Sequence, residues 1–224
     1  MSQPWPSRAL IIVNTNFYSR DGDVAFATRR GARREAEKLS RILSRLNYEV
    51  TLMLNKTAEE IENLYQQECC RQHGDYFVSI ISSHGEEGVV LGCDSEPVKL
   101  TRIFQILSSE KCPALSKIPK IFFIQACRGQ ELDRGAVVEC DSGKPEPDGF
   151  STYLSIPPQT AAMFACSSGY VAFLSISGSL FLQAVMKVLE GEVAFRFQAR
   201  GAYEGCKEMP CFVTNLQQEV FPFS

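Results

Sequence analysis

The chain has 224 residues, 45% of them hydrophobic and 22% charged, and its formal charge is −3. That length suits one fairly large domain or two small ones, and the composition is ordinary for a globular protein. So even a charge balance argues against a nucleic-acid partner, and no run approaches the ~18 consecutive apolar residues of a membrane span.

The first apolar run is 9–13 (Ala-Leu-Ile-Ile-Val). Residues 32–46 then carry Ala36, Leu39, Ile42, Leu43 and Leu46 at helical spacing, with charges elsewhere. Residues 48–54 are strand-like, and Thr57-Ala-Glu-Glu60 is a capping-box signature opening a helix to about residue 70. A strand over 76–82, a helix around 100–107 and a strand over 120–125 follow. Gly, Pro, Asp, Glu and Lys dominate 129–158 without periodicity, which reads as an exposed loop or linker. Order resumes at 161–166, then a helix around 179–189 and a strand at 211–214. This alternation predicts an α/β fold, a three-layer sandwich around a mainly parallel central sheet.

The N-terminus, Met1-Ser2-Gln3-Pro4-Trp5-Pro6, lacks the basic and apolar regions of a signal peptide, so a cytoplasmic location is expected. Nine cysteines at irregular spacing then read as free thiols. Cys69-Cys70 with His73 is the cluster nearest to metal-ligand spacing, but it lacks a second pair at the right distance. No metal and no cofactor are expected.

Two strand ends carry chemistry. Gln125-Ala126-Cys127-Arg128-Gly129 follows Ile121-Phe122-Phe123-Ile124, and Ser83-His84-Gly85 follows the run 76–81. In open parallel sheets the carboxyl edge is where ligands bind. A thiol and an imidazole there are the minimum equipment for thiolate attack on a carbonyl. A free thiol has a pKa near ~8.5, so its reactive form needs a stabilising neighbour, and His84 is the candidate. Backbone N–H groups at Gly85 and Cys127 are placed to face a developing oxyanion. Taken singly, Cys127 reads as a packing residue and His84 as a loop histidine; together they point to a nucleophilic pair.

Gln125-Ala-Cys-Arg-Gly129 resembles the signature around the catalytic cysteine of the caspase family, and His84 lies upstream at nearly the expected ~50 residues. The histidine loop 81–88 (Ile-Ser-Ser-His-Gly-Glu-Glu-Gly) resembles the family too, as do Leu46-Asn-Tyr-Glu-Val50, Lys117-Ile-Pro-Lys-Ile-Phe-Phe123, Ser168-Gly169-Tyr170 and Pro210-Cys-Phe-Val213. The likeness implies a cysteine endopeptidase cutting protein substrates after aspartate, in apoptosis or differentiation. Cys127 is then the nucleophile, His84 its partner, and Gly85 part of the oxyanion hole. Arg29 and Gln125 match readers of the substrate aspartate, and a guanidinium suits a carboxylate through bidentate charged hydrogen bonds. The neighbouring Arg30, Arg33 and Arg34 read as a solvated helix face. The resemblance also implies a large-subunit part (1–134), a linker (135–158) cut after Asp141, and a small-subunit part (159–224). So few residues precede the first strand that no recruitment domain is expected.

Two departures stand out. Phe173 matches an aromatic wall of the substrate groove, but Leu174 falls where relatives carry a second aspartate-reading arginine. Residues 191–209 are too few for the covering helix and substrate loop that the family places there, which predicts an exposed sheet face or a compensating partner. The strand at 211–214 matches the one through which relatives dimerise, so a homodimer or a heterodimer with other caspases is expected. Leu174 and the short 191–209 stretch favour the alternative of a catalytically weak binding or regulatory partner of active caspases. A third reading is a cysteine hydrolase that keeps the pair but reads an uncharged side chain.

Overall fold

Runs that are apolar on both faces form the centre of the sheet. In the computed structural model, which describes residues 5–132, 156–191, 208–217, 219–220 and 222–223, every residue of β1 (Arg8–Val13) is buried. A small hairpin, β2 (Phe17–Tyr18) and β3 (Val24–Phe26), leads to α1 (Ala32–Arg45), whose Ala36, Leu39, Ile42 and Leu43 are buried along one face. After β4 (Glu49–Leu54), α2 (Ala58–Glu68) starts at Thr57 with the capping box in place. Then come the fully buried β5 (Phe77–Ser82) and a three-stranded flap of β6 (Gly85–Glu86), β7 (Val89–Leu91) and β8 (Pro97–Lys99). Next are α3 (Leu100–Ile106), the buried β9 (Lys120–Gln125) and the short β10 (Gly129–Glu131). The chain continues with β11 (Thr160–Phe164), β12 (Gly169–Tyr170), a hairpin of β13 (Leu174–Ser175) and β14 (Gly178–Ser179), α4 (Leu180–Leu189) and β15 (Cys211–Thr214).

The main sheet runs β15-β11-β9-β5-β1-β4 and is parallel except for the antiparallel β15 at one edge. One face packs on α2 and α3 through Ile61, Tyr65, Phe104 and Phe122. The other packs on α1 and α4 through Leu39, Leu43, Phe123 and Val185. The predicted three-layer α/β architecture is the observed one. The small hairpins between strands were invisible in the sequence because two- and three-residue strands carry no measurable period.

One expectation is corrected. Cys69 at the end of α2 and Cys112 before β9 are joined as a disulfide, with Cα atoms 5.0 Å apart, so not all nine cysteines are free thiols. Irregular spacing hid a pair that only the packing of α2 against the α3–β9 connection brings together. No metal cluster occurs among the described residues, and His73 instead donates from Nε2 to the Glu68 carbonyl at 2.8 Å. On the α1/α4 face, Phe223 stacks near Tyr48 and Phe123 (6.1 and 6.4 Å between centroids), so C-terminal residues cover part of the sheet. An apolar cavity of about 510 Å³ lies between that tail, β9 and β11. Residues 192–207, the core of the short stretch, fall outside the described residues, as does Asp141.

The buried Arg8 is held by Glu68 in a bidentate pair, Nε to Oε2 at 2.8 Å and Nη2 to Oε1 at 3.1 Å, with Glu49 on its exposed side. Glu68→Ala strands a buried guanidinium and is expected to cost about 3 kcal/mol in urea unfolding. Glu49→Ala, at a half-exposed carboxylate, is expected to cost under ~1 kcal/mol.

Candidate active site

Strand register determines what meets at the carboxyl edge. β5 and β9 are parallel neighbours with Ser82 opposite Gln125. His84 and Cys127 each follow two residues beyond that pair, so both leave the sheet at the same end. The two turns touch: a methyl placed on Gly85 stands 3.0 Å from the Ala126 Cβ, 3.3 Å from the Cys127 carbonyl oxygen and 2.6 Å from the Val89 carbonyl oxygen. Only glycine admits that approach.

The His84 ring is set by β2 and β3. Phe17 and Phe26 lie 4.6 and 5.4 Å from it between centroids, and Nε2 sits 3.0 Å from the Ala27 carbonyl oxygen. A carbonyl only accepts, so Nε2 carries the proton and Nδ1 is left as the proton acceptor of the neutral ring. Desolvation is the main force lowering the His84 pKa, with the Arg29 charge adding to it and the Ala27 hydrogen bond opposing. The imidazole is therefore neutral at pH 7, as a proton acceptor must be. Cys127 Sγ lies 3.5 Å from the Ala172 amide nitrogen and 3.7 Å from its carbonyl oxygen. The turn behind it is pinned by Arg128, which donates to the Cys166 carbonyl (3.1 Å) and to Glu87 (2.9 Å) and lies over the Phe164 ring at 4.8 Å.

A cavity of about 790 Å³ opens on these groups, and Arg29, Gln125, His84 and Cys127 all line it. Arg29 is 6% exposed and donates to the Asn14 carbonyl and to Ser82 Oγ, both at 2.9 Å. Burial lowers its pKa to about 10, so the guanidinium stays charged at neutral pH. Gln125 is 1% exposed and reaches the Phe173 carbonyl at 3.4 Å, while its Oε1 has no partner among the described residues. A buried amide oxygen left without a partner is costly unless something binds it.

Two sequence readings are extended. Arg30 and Arg34 are exposed, as the solvated reading has it, and also line the cavity beside Arg29, whereas Arg33 pairs with Glu37 at 3.0 Å. Arg30 sits in the turn before α1 and Arg34 in its first turn, so no helical spacing links the two and only the fold brings them to one cavity. Phe173 engages the site through its backbone, while Ala172 and Leu174 on either side line the cavity. The Ala27 carbonyl, Asn14 and Ser82 also build the site, and main-chain carbonyls and small polar residues leave no mark in a sequence.

A Caspase domain family model matches residues 6–221. The chain belongs to the caspase family. Caspase-7 of Gallus gallus is 31% identical over 242 residues, covering 96% of this chain and 76% of that protein. Caspase-3 of Mesocricetus auratus is 32% identical over 245 residues, covering 99% and 85%. The crystal structure of caspase-1 from Spodoptera frugiperda superposes with a TM-score of 0.76 at 25% identity, covering 97% of this chain and 90% of that one. A caspase-family cysteine peptidase domain thus spans nearly the whole sequence. Among the described residues, no helix is long and apolar enough to cross a membrane.

The lowered His84 pKa sets a pH test. The neutral ring persists below pH 6.5, so the acid limb of Cys127 alkylation by iodoacetamide is expected below that value. Folding stability follows the same group. The unfolded chain takes up the proton more readily, so this contribution is present above pH 6.5 and is lost progressively as pH falls below it. His84→Ala is expected to remove the limb and slow alkylation at pH 7 by about 10²-fold.

Proposed function

We propose that the chain is a cysteine endopeptidase that cuts protein substrates after aspartate. The observation that carries this reading is that one cationic cavity receives Cys127, His84, Arg29 and Gln125 together. Cys127 gives its proton to His84 Nδ1 as sulfur bonds to the carbonyl carbon. The oxygen becomes an oxyanion held by the Gly85 and Cys127 N–H groups. The C–N bond then breaks, the imidazolium protonates the leaving amine, and a thioester remains. Water, deprotonated by His84, attacks that thioester, releasing the new carboxyl terminus and restoring the thiol.

Arg29 and the Gln125 amide bind the substrate aspartate. Leu174 supplies no charge where the second arginine is expected, while Arg30 and Arg34 line the cavity near the entry of α1. One missing charged partner in a desolvated pocket is worth ~2–5 kcal/mol, and each ~1.4 kcal/mol is tenfold in rate. Activity on aspartyl substrates is accordingly reduced relative to relatives with the second arginine. Maturation by cutting after Asp141, division into parts at 1–134 and 159–224, and a cytoplasmic role in apoptosis or differentiation complete the proposal. So does pairing through β15, an edge strand with Phe212 56% exposed.

Leu174 also favours a second reading, a catalytically weak partner that binds active caspases. Incubation with an electrophilic peptide ending in aspartate separates the two. Adduct on Cys127, absent in Cys127→Ala and slowed about 10²-fold in Arg29→Ala, supports the peptidase. No adduct under conditions that label an active caspase supports the binding partner. Leu174→Arg is expected to raise the labelling rate at least about tenfold.

A further inference from the structure

One wall of the cavity is built from the stretch 173–179, in which Leu174, Ser175, Ile176 and Ser177 line the open space. It is gripped at both ends by buried carboxylates from distant parts of the chain. At its start, the Phe173 N–H donates to Glu208 Oε2 at 2.8 Å. At its end, the Ser179 N–H donates to Glu35 Oε1 at 2.8 Å, and the Ser179 hydroxyl lies 3.1 Å from each Glu35 oxygen. Glu35 and Glu208 are only 5% and 3% exposed.

Glu35 rides on α1, six residues after Arg29, so it joins the aspartate-reading guanidinium to the wall that faces it. The fit there is tight. At Gly31 (φ +89°), a Cβ atom comes 2.5 Å from the Ile176 carbonyl oxygen. Ser179 is also the N-cap of α4, its Oγ accepting from the Leu182 N–H at 3.1 Å. Glu208 leads into β15, and the Phe181 backbone N–H in the first turn of α4 also favours its charged form. Burial pushes both carboxyls up to about 7, with Arg29 opposing at Glu35 and the Glu35 charge adding at Glu208. Two carboxyls kept in so costly a place are anomalous unless their contacts do something.

We propose that Glu35 and Glu208 are positioning residues for the substrate, holding the wall 173–179 by its first and last backbone N–H and so setting the shape of the pocket for the side chain at the cut. The inference rests on the peptidase reading and adds to it the residues that act through the wall. Neither touches the reacting atoms. A glutamine keeps one carbonyl acceptor for the Phe173 N–H, whereas alanine removes it.

The test uses Glu208→Ala, Glu208→Gln, Glu35→Ala and Glu35→Gln in the full chain. Amide hydrogen exchange reads the grip itself. Exchange at Phe173 is expected to rise about tenfold or more in Glu208→Ala, with β5 and β9 amides unchanged, and to stay near the parent value in Glu208→Gln. Exchange at Ser179 is expected to respond in the same way to the Glu35 pair. Labelling by the aspartyl electrophile reads the consequence. Glu208→Ala is expected to raise the half-saturating probe concentration about tenfold while the limiting rate stays within about twofold, and glutamine restores the parent value.

Unchanged exchange at Phe173 and Ser179, glutamine behaving as alanine, or a loss in limiting rate alone each overturns the proposal. Should the Glu35 variants fail to fold, the Glu208 pair decides. If the parent protein shows no saturable labelling, the peptidase reading falls and the substrate role with it. Faster exchange in the alanine variants then still establishes the grip on the wall.

Discussion

The parallel pairing of β5 with β9 is the constraint on which the site depends. With Ser82 fixed opposite Gln125, the chain leaves both strands at one edge, and equal two-residue offsets carry His84 and Cys127 to it. A slip of one residue would turn every side chain of a strand to the other face. Both faces are packed, one on α2 and α3 and the other on α1 and α4, so the core itself resists such a slip. The placement of His84 and Cys127 is thereby tied to burial of the sheet, and nothing in their own turns has to specify it alone.

Around that edge the structure concentrates charge that a core would normally exclude. Arg29, Glu35, Arg128 and Glu208 are all buried, and each is held by hydrogen bonds to backbone groups or neighbouring side chains. Such groups weaken the fold unless every contact is made, and in return they fix positions more sharply than apolar packing does. The arrangement is graded in polarity. Guanidiniums of Arg29, Arg30 and Arg34 face the cavity, while the two carboxyls sit behind the wall, gripping its backbone. An acidic side chain entering the cavity meets cations first. Leu174, an uncharged side chain, lines the same cavity from the wall side.

The fold was legible because its signals are periodic and local. Apolar runs on both faces of β1, β5 and β9, the heptad-like face of α1 and the Thr57 capping box are each written in a few consecutive residues. The small flap and hairpins were not legible, since their strands are two or three residues long and are defined by partners far away in the chain. The Cys69–Cys112 bond was missed for the same reason, because sequence spacing does not encode which helix end packs on which turn.

At the site, the sequence by itself determined the reactive groups: a cysteine and a histidine at two strand ends, with Arg29 and Gln125 nearby. Their identities are chemical facts of the side chains, and the motifs around them are contiguous. Only the tertiary structure decided which atoms they present. The Ala27 carbonyl selects the histidine tautomer, Arg30 and Arg34 turn into the cavity, Phe173 contributes its backbone, and two distant glutamates hold the wall. Those choices depend on hydrogen bonds and burial between segments tens of residues apart, and such contacts exist only once the sheet has closed around its core.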